Sequence, residues 1–153
     1  MVVAACRDYS NLQCHHREFN ISLLPKILLI DDSKFLRRAN ELSLAKAGHQ
    51  ILAASDGEEG LRLARDKQPD VIILDMMLPK LGGAQLLQLL KSDSLTAAIP
   101  VIVLSSLAQK NESKLIAAGA AAYFEKSDLG LEQCSGELSR TITKILSSPH
   151  TSV

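Results

Sequence analysis

From Lys26 onward, apolar and polar positions fall into two kinds of block that alternate along the chain. KILLI, VIILD and VIVLS are short runs of branched apolar residues without a polar partner face. Such runs mark strands covered on both sides in a parallel sheet, since a half-wet strand would alternate. HQILAAS and AAAYFEK are weaker members of the same series. Between these runs, apolar residues recur every three or four positions, the period of a helix. Ser33 can cap a first helix whose apolar face is Phe35, Leu36, Ala39 and Leu42, with Gly48 closing it. Asp56-Gly57 leads into EEGLRLARDKQ, where Leu61 and Ala64 face inward and Pro69 stops the helix. Leu86, Leu87, Leu89 and Leu90 give a third helix a continuous apolar face, which predicts close packing on the sheet. Pro100 opens VIVLS, QKNESKLIAAG forms a fourth helix closed by Gly119, and Leu138, Ile142, Ile145 and Leu146 stand at helical spacing in the last.

Strands and helices that alternate in this way require right-handed crossovers, hence an α/β fold with a parallel sheet and helices on both faces. No repeat occurs at solenoid periods. The alternation places one domain over residues 25–147. Residues 1–24 carry neither period and are expected to form a disordered extension, with 148–153 a frayed tail. At 153 residues the chain suits one domain, and 46% hydrophobic with 22% charged residues is a globular profile. Zero net charge gives no basic footprint for nucleic acid and no polybasic patch for a membrane. Apolar runs fall well short of a membrane span. Three cysteines, Cys6, Cys14 and Cys134, are an odd count without a disulfide pattern, which points to a reducing, cytoplasmic setting. Val3-Ala4-Ala5-Cys6 resembles a lipidation box but lacks a preceding apolar segment. Cys6 with Cys14-His15-His16 matches no standard metal-ligand spacing, so a solvated tail is expected there.

Open α/β sheets hold their ligands at the carboxyl ends of the strands. There the chain carries Asp31 and Asp32, Asp75, Ser105 and Lys126. Singly, each such residue is more often a cap, a turn former or a surface charge, as Ser33 and Asp56 are expected to be. Together they describe chemistry. Two carboxylates ~4 Å apart repel by roughly 4 kcal/mol at an effective dielectric of about 20. A divalent cation relieves that repulsion, and an oxygen-only set with room for water suits Mg²⁺. A lysine and a hydroxyl alongside are tools for holding a phosphoryl group. A carboxylate nucleophile with Mg²⁺, lysine and hydroxyl is an aspartyl-phosphate site.

Lys26 to about Leu146 resembles the response-regulator receiver domain of two-component signalling. The matching pieces are LLIDDS, LDMMLPKLGG, PVIVLSS and AAAYFEK. The resemblance implies a flavodoxin-like strand order 2-1-3-4-5. It implies Asp75 as phosphoacceptor, with Asp31, Asp32, Asp75 and the backbone carbonyl of Met77 as Mg²⁺ ligands, one of the acidic pair through water. It also implies Ser105 and Lys126 on the phosphoryl oxygens and Tyr123 as the aromatic that reports the switch. The implied partners are a sensor histidine kinase or phosphotransfer protein and an unidentified downstream protein, which meets helix 4, strand 5 and helix 5. Neither nucleic acid nor membrane is an expected partner. The chain departs from the family at Ser127, where a proline is usual, at Gly82, where many members are polar, and in the late start of the last helix near Gly136. Expected is a stand-alone, phosphorylation-controlled binding module without turnover on external substrates. Two alternatives differ in class. A haloacid-dehalogenase-like Mg²⁺ phosphatase would want D-x-D-x-[TV] where this chain has IDDSK. An unphosphorylated pseudo-receiver scaffold would be missing a site residue.

Overall fold

The computed structural model describes residues 24–106, 112–126 and 134–148. The expectations for residues 1–23, for the turn at Ser127, for residues 107–111 and for the tail from 149 lie outside these. Five strands, β1 (Lys26–Ile30), β2 (Gln50–Ala54), β3 (Val71–Asp75), β4 (Val101–Ser105) and β5 (Ala122–Glu125), form one sheet in the order β2-β1-β3-β4-β5. All pairings are parallel. Helices α1 (Lys34–Lys46), α2 (Gly57–Lys67), α3 (Gly83–Ser92), α4 (Glu112–Ala117) and α5 (Cys134–Ser147) make the crossovers. This is the parallel α/β sheet expected from the alternation, in the flavodoxin-like order that the resemblance implies.

The pleat divides the core by residue parity. Leu28, Ile30, Ile72, Leu74 and Val103 point to the face that Ala64 of α2, Leu86, Leu87 and Leu90 of α3, and Leu115 of α4 cover. Ile27, Leu29, Ile73, Ile102 and Leu104 point to the other, against Leu44 of α1 and Leu138 and Ile142 of α5. Each fully buried aliphatic side chain contributes about 1.5–3 kcal/mol of transfer free energy. This explains why β1, β3 and β4 need apolar residues at consecutive positions. The carboxyl ends of these three strands are thereby held as a rigid edge.

The helix ends follow the expected chemistry. Ser33 Oγ accepts the Leu36 N–H at 3.4 Å and Asp56 Oδ1 accepts the Glu59 N–H at 2.8 Å, so both residues are caps. Gly48 and Gly119 take φ of +93° and +107° just past α1 and α4, a conformation that a Cβ disfavours. Two expectations about packing need correction. Phe35 is 70% exposed and Leu42 49% exposed, so two of the four residues of the expected α1 face point to water, while Leu36 and Ala39 are half-buried. The inward side is Leu36, Asn40 and Leu44, with Arg37 half-buried beside it. An arginine and an asparagine on the packed side hide it from a purely apolar reading. Leu89 of α3 is likewise exposed, and only its neighbours Leu86, Leu87 and Leu90 are in the core. Among the described residues no helix is long and apolar enough to cross a membrane.

Candidate functional site

The end of β1 and the end of β3 deliver two carboxylates into the same buried corner. Asp31 is 0% exposed and Asp75 2% exposed. Each is fixed by the backbone of its own turn. Asp31 Oδ1 accepts the Ser33 N–H at 2.9 Å, and Asp75 Oδ1 accepts the Met77 N–H at 3.1 Å. Both are Asx turns, in which a short carboxylate satisfies an amide two residues on. Lys126, directly after β5, reaches across β4 to both. Its Nζ stands 2.9 Å from Asp75 Oδ2 and 3.5 Å from Asp31 Oδ2. Asp32 is exposed, yet one oxygen each from Asp31, Asp32 and Asp75 lie within 4.8 Å of one another.

These contacts set the protonation. Burial pushes the Asp31 carboxyl above the usual carboxylate range, and the neighbouring Asp75 charge pushes the same way. For Lys126, burial pulls down, but the hydrogen bond to Asp75 and the charge of Asp31 outweigh it and the ammonium is held above its ordinary value. The lysine therefore stays charged wherever both carboxylates do. Asp31 Oδ2 is buried and makes no hydrogen bond among the described residues, the Lys126 ammonium that it shares with Asp75 standing off at 3.5 Å. A buried anionic oxygen in that condition is costly unless a cation completes it. Three hard oxygen donors around one point, one of them on the solvent side, fit Mg²⁺ with retained waters.

Ser105 closes β4, one residue beyond the Leu104 that pairs with Asp75, and it is 2% exposed. Its carbonyl accepts the Lys126 N–H at 2.8 Å, so the hydroxyl-bearing residue and the lysine share a rung. Tyr123 pairs in register with Val103 and packs, partly buried, against the core on the α2–α4 face. The Met77 side chain is 58% exposed, and its backbone N–H is what touches Asp75. Two contributors were not foreseen. Arg37 Nη1 donates to the Asp31 carbonyl at 2.7 Å, pinning the loop that carries the acidic pair. Gly83 lets the start of α3 sit on the β3 turn, its N–H donating to the Met76 carbonyl at 3.2 Å. A Cβ there would lie 2.7 Å from the Asp75 carbonyl oxygen. The second glycine of LGG was the available signal for that contact. Nothing marks a bond from an arginine to a main-chain carbonyl.

The family described as the response regulator receiver domain matches residues 27–131. The chain belongs to this family. Its curated relatives include the gliding motility regulatory protein of Myxococcus xanthus, 42% identical over 117 residues. That match covers 75% of this chain and 15% of the relative. Protein PilH of Pseudomonas aeruginosa is 38% identical over 89 residues, covering 58% of this chain and 74% of PilH. The chain thus spans a small part of some relatives, 36% for the transcriptional regulator AfsQ1 of Streptomyces coelicolor, and most of others. Among solved structures, a receiver domain from Clostridium thermocellum is similar at TM-score 0.69 and 31% identity. The match covers 80% of this receiver and 94% of that chain. A chemotaxis response regulator of Vibrio cholerae gives TM-score 0.69 at 27% identity, covering 77% and 98%. Receivers are signalling modules that bind Mg²⁺ at an acidic pocket, and in this chain Asp31, Asp32 and Asp75 form an acidic cluster.

Proposed function

We propose that this receiver accepts a phosphoryl group on Asp75 from the phosphohistidine of a sensor histidine kinase or a phosphotransfer protein. The observation that carries the reading is the buried Asp75 carboxylate, with Lys126 at 2.9 Å and two further carboxylates around it. In the transfer an Asp75 oxygen forms the new P–O bond as the P–N bond breaks and the imidazole leaves. Mg²⁺, held by Asp31, Asp32, Asp75 and the Met77 carbonyl, would neutralise charge on the phosphoryl oxygens. Lys126 fixes one of those oxygens by a charge-assisted hydrogen bond. Ser105 donates its hydroxyl to another, and the inward shift this requires makes room for Tyr123 to turn in. The altered surface is α4, β5 and α5, which a downstream protein reads. The folded unit is taken as residues 25–147, acting in the cytoplasm without nucleic acid or membrane as partner.

Incubation with acetyl phosphate and Mg²⁺ tests this directly. Intact mass should show one added phosphoryl group that alkali removes, as it does acyl phosphates. Asp75→Asn should fold and stay unlabelled; undiminished labelling of that variant would refute the assignment.

A further inference from the structure

Four of the five described arginines stand by a carboxylate. Arg37 and Arg38 stand by Glu41, Arg62 by Asp66, and Arg65 by Asp93. Arg140, on α5, is the one described arginine outside these pairs. It borders an open groove of about 740 Å³ between α1 and α5. Lys46 and Lys144 also line the groove, and among the described residues no acidic or aromatic side chain does. Neither lysine is in an ion pair among the described residues. Lys46 and Lys144 lie in the last turns of their helices, where a cation offsets the carbonyl ends. That accounts for the two lysines but not for Arg140, which stands in mid-helix. The half-buried Ser43 and Ser139 hydroxyls in the same groove make no hydrogen bond among the described residues, whereas the Thr143 hydroxyl is spent on the Ser139 carbonyl at 2.9 Å. The groove thus gathers three cations and two free hydroxyls without a carboxylate among its described lining residues.

We propose that this groove binds a small polyphosphate anion. Three cations along one groove match an extended ligand of several charges, whereas one carboxylate would need only one of them. The guanidinium of Arg140 offers the planar fork that fits phosphate oxygens, the lysines add point charges, and Ser43 and Ser139 add neutral donors. Among the described lining residues there is no aromatic platform to stack a base on, so the phosphate chain and not a nucleoside is recognised. The site is separate from the phosphoacceptor pocket. Lys46 ends the helix that Lys34 begins beside Asp32, and 13 residues span about 18 Å.

The test is an amide NMR titration of the full chain with sodium tripolyphosphate, free of Mg²⁺ and at constant ionic strength. Saturable shifts are expected at Ser43, Lys46, Ser139 and Arg140, with Asp75 and Met77 unmoved. Arg140→Gln should weaken binding about tenfold, the scale of one lost charge-assisted contact, and Arg140→Lys less. Lys114→Gln on α4 should change nothing, and ATP should bind about as tightly as tripolyphosphate. All the substituted side chains are exposed, so amide dispersion should stay native. Scattered shifts without saturation, an equal loss in Lys114→Gln, or much tighter binding of ATP would each overturn the proposal.

Discussion

Adjacent glycines at the start of α3 should respond to substitution in opposite directions. A Cβ on Gly83 would meet Met76 Cα at 2.5 Å and the Asp75 carbonyl oxygen at 2.7 Å, where ordinary contact begins at 3.4 Å. The overlap is therefore about 0.7–0.9 Å against main-chain atoms. Unlike a side-chain tip, these cannot swing aside. Overpacking of this kind costs about 1–3 kcal/mol, and backbone neighbours put Gly83→Ala in the upper half of that range. The better helix propensity of alanine offsets at most about 1 kcal/mol, leaving a net loss of about 2 kcal/mol. Gly82 differs in every respect. It has nothing within 4 Å, its φ is −64°, and it occupies the N-cap of α3 without a side-chain hydrogen bond. Gly82→Ser adds a capping acceptor, a gain of a few tenths of a kcal/mol, and restricts the unfolded chain by about 0.4–1 kcal/mol more. With a urea m-value of about 1–3 kcal/mol/M, Gly83→Ala should lower the midpoint by about 1 M while Gly82→Ser raises it slightly. Because the displaced atoms carry Asp75, labelling of Gly83→Ala by acetyl phosphate should also slow under fully folding conditions. Equal midpoints for the two variants, or an unchanged Gly83→Ala in both assays, would refute this account of the turn.

Other consequences can be checked with the same material. Mg²⁺ should raise the melting temperature of the wild type, because it binds the folded site only, with about 2.7 kcal/mol gained at one hundred times Kd. Asp31→Asn should melt higher than wild type without Mg²⁺, since a buried carboxylate pushed upward in pKa opposes folding at neutral pH, and it should respond less to the ion; an identical response would exclude Asp31 as a ligand. Ser105→Ala should still take phosphate on Asp75 but, with beryllofluoride, lose most of the NMR shift changes around Tyr123; wild-type-sized changes would break the proposed coupling. His49 has a buried Nδ1 without a hydrogen-bond partner, and burial holds its pKa below 6.5. The unfolded chain then binds the proton more readily, so this contribution is full above 6.5 and declines as pH falls through the lower folded value. Urea midpoints at about pH 7.5 and about pH 5 should therefore diverge more in the wild type than in His49→Gln; parallel behaviour would show that His49 does not titrate this way.

Legibility in the sequence tracked burial. KILLI, VIILD and VIVLS were readable to the residue because a strand covered on both faces must be apolar at every position. Strands β2 and β5, at the sheet edges, came out shorter than HQILAAS and AAAYFEK. Alanine and polar residues blur the ends there, and only one neighbour enforces the register. On α1 the expected face is partly off: Leu36 and Ala39 are half-buried, but Phe35 and Leu42 face water and Leu44 is buried instead. The inward side includes Arg37, turned toward the Asp31 carbonyl, which a purely apolar reading passes over. The corner formed by Asp31, Asp75 and Lys126 was legible for a different reason. Each sits at a strand end, and strand ends in a parallel sheet converge whatever the loops do. Arg37 was not, since its partner is a main-chain oxygen that no residue type announces.

Were Asp75 phosphorylated, the charge balance of that corner would change. Asp31 and Asp75 oxygens lie within 4.8 Å, a repulsion of roughly 3.5 kcal/mol at an effective dielectric of about 20. Lys126 answers both carboxylates at once, at 2.9 and 3.5 Å, and so is fully committed to neither. On the proposed reading, a phosphoryl group on Asp75 replaces one carboxylate charge by a larger one spread over new oxygens further from β3. Lys126 then gains most by following that charge outward, and Asp31 is left to the metal. The ammonium can follow on its flexible four-carbon stem while the Lys126 main chain stays bonded to the Ser105 carbonyl through its N–H. An inward movement of the Ser105 main chain, which the proposed hydroxyl contact requires, would therefore be felt at the end of β5. That shared rung ties the end of β4 to the segment that carries Tyr123, which itself pairs with Val103.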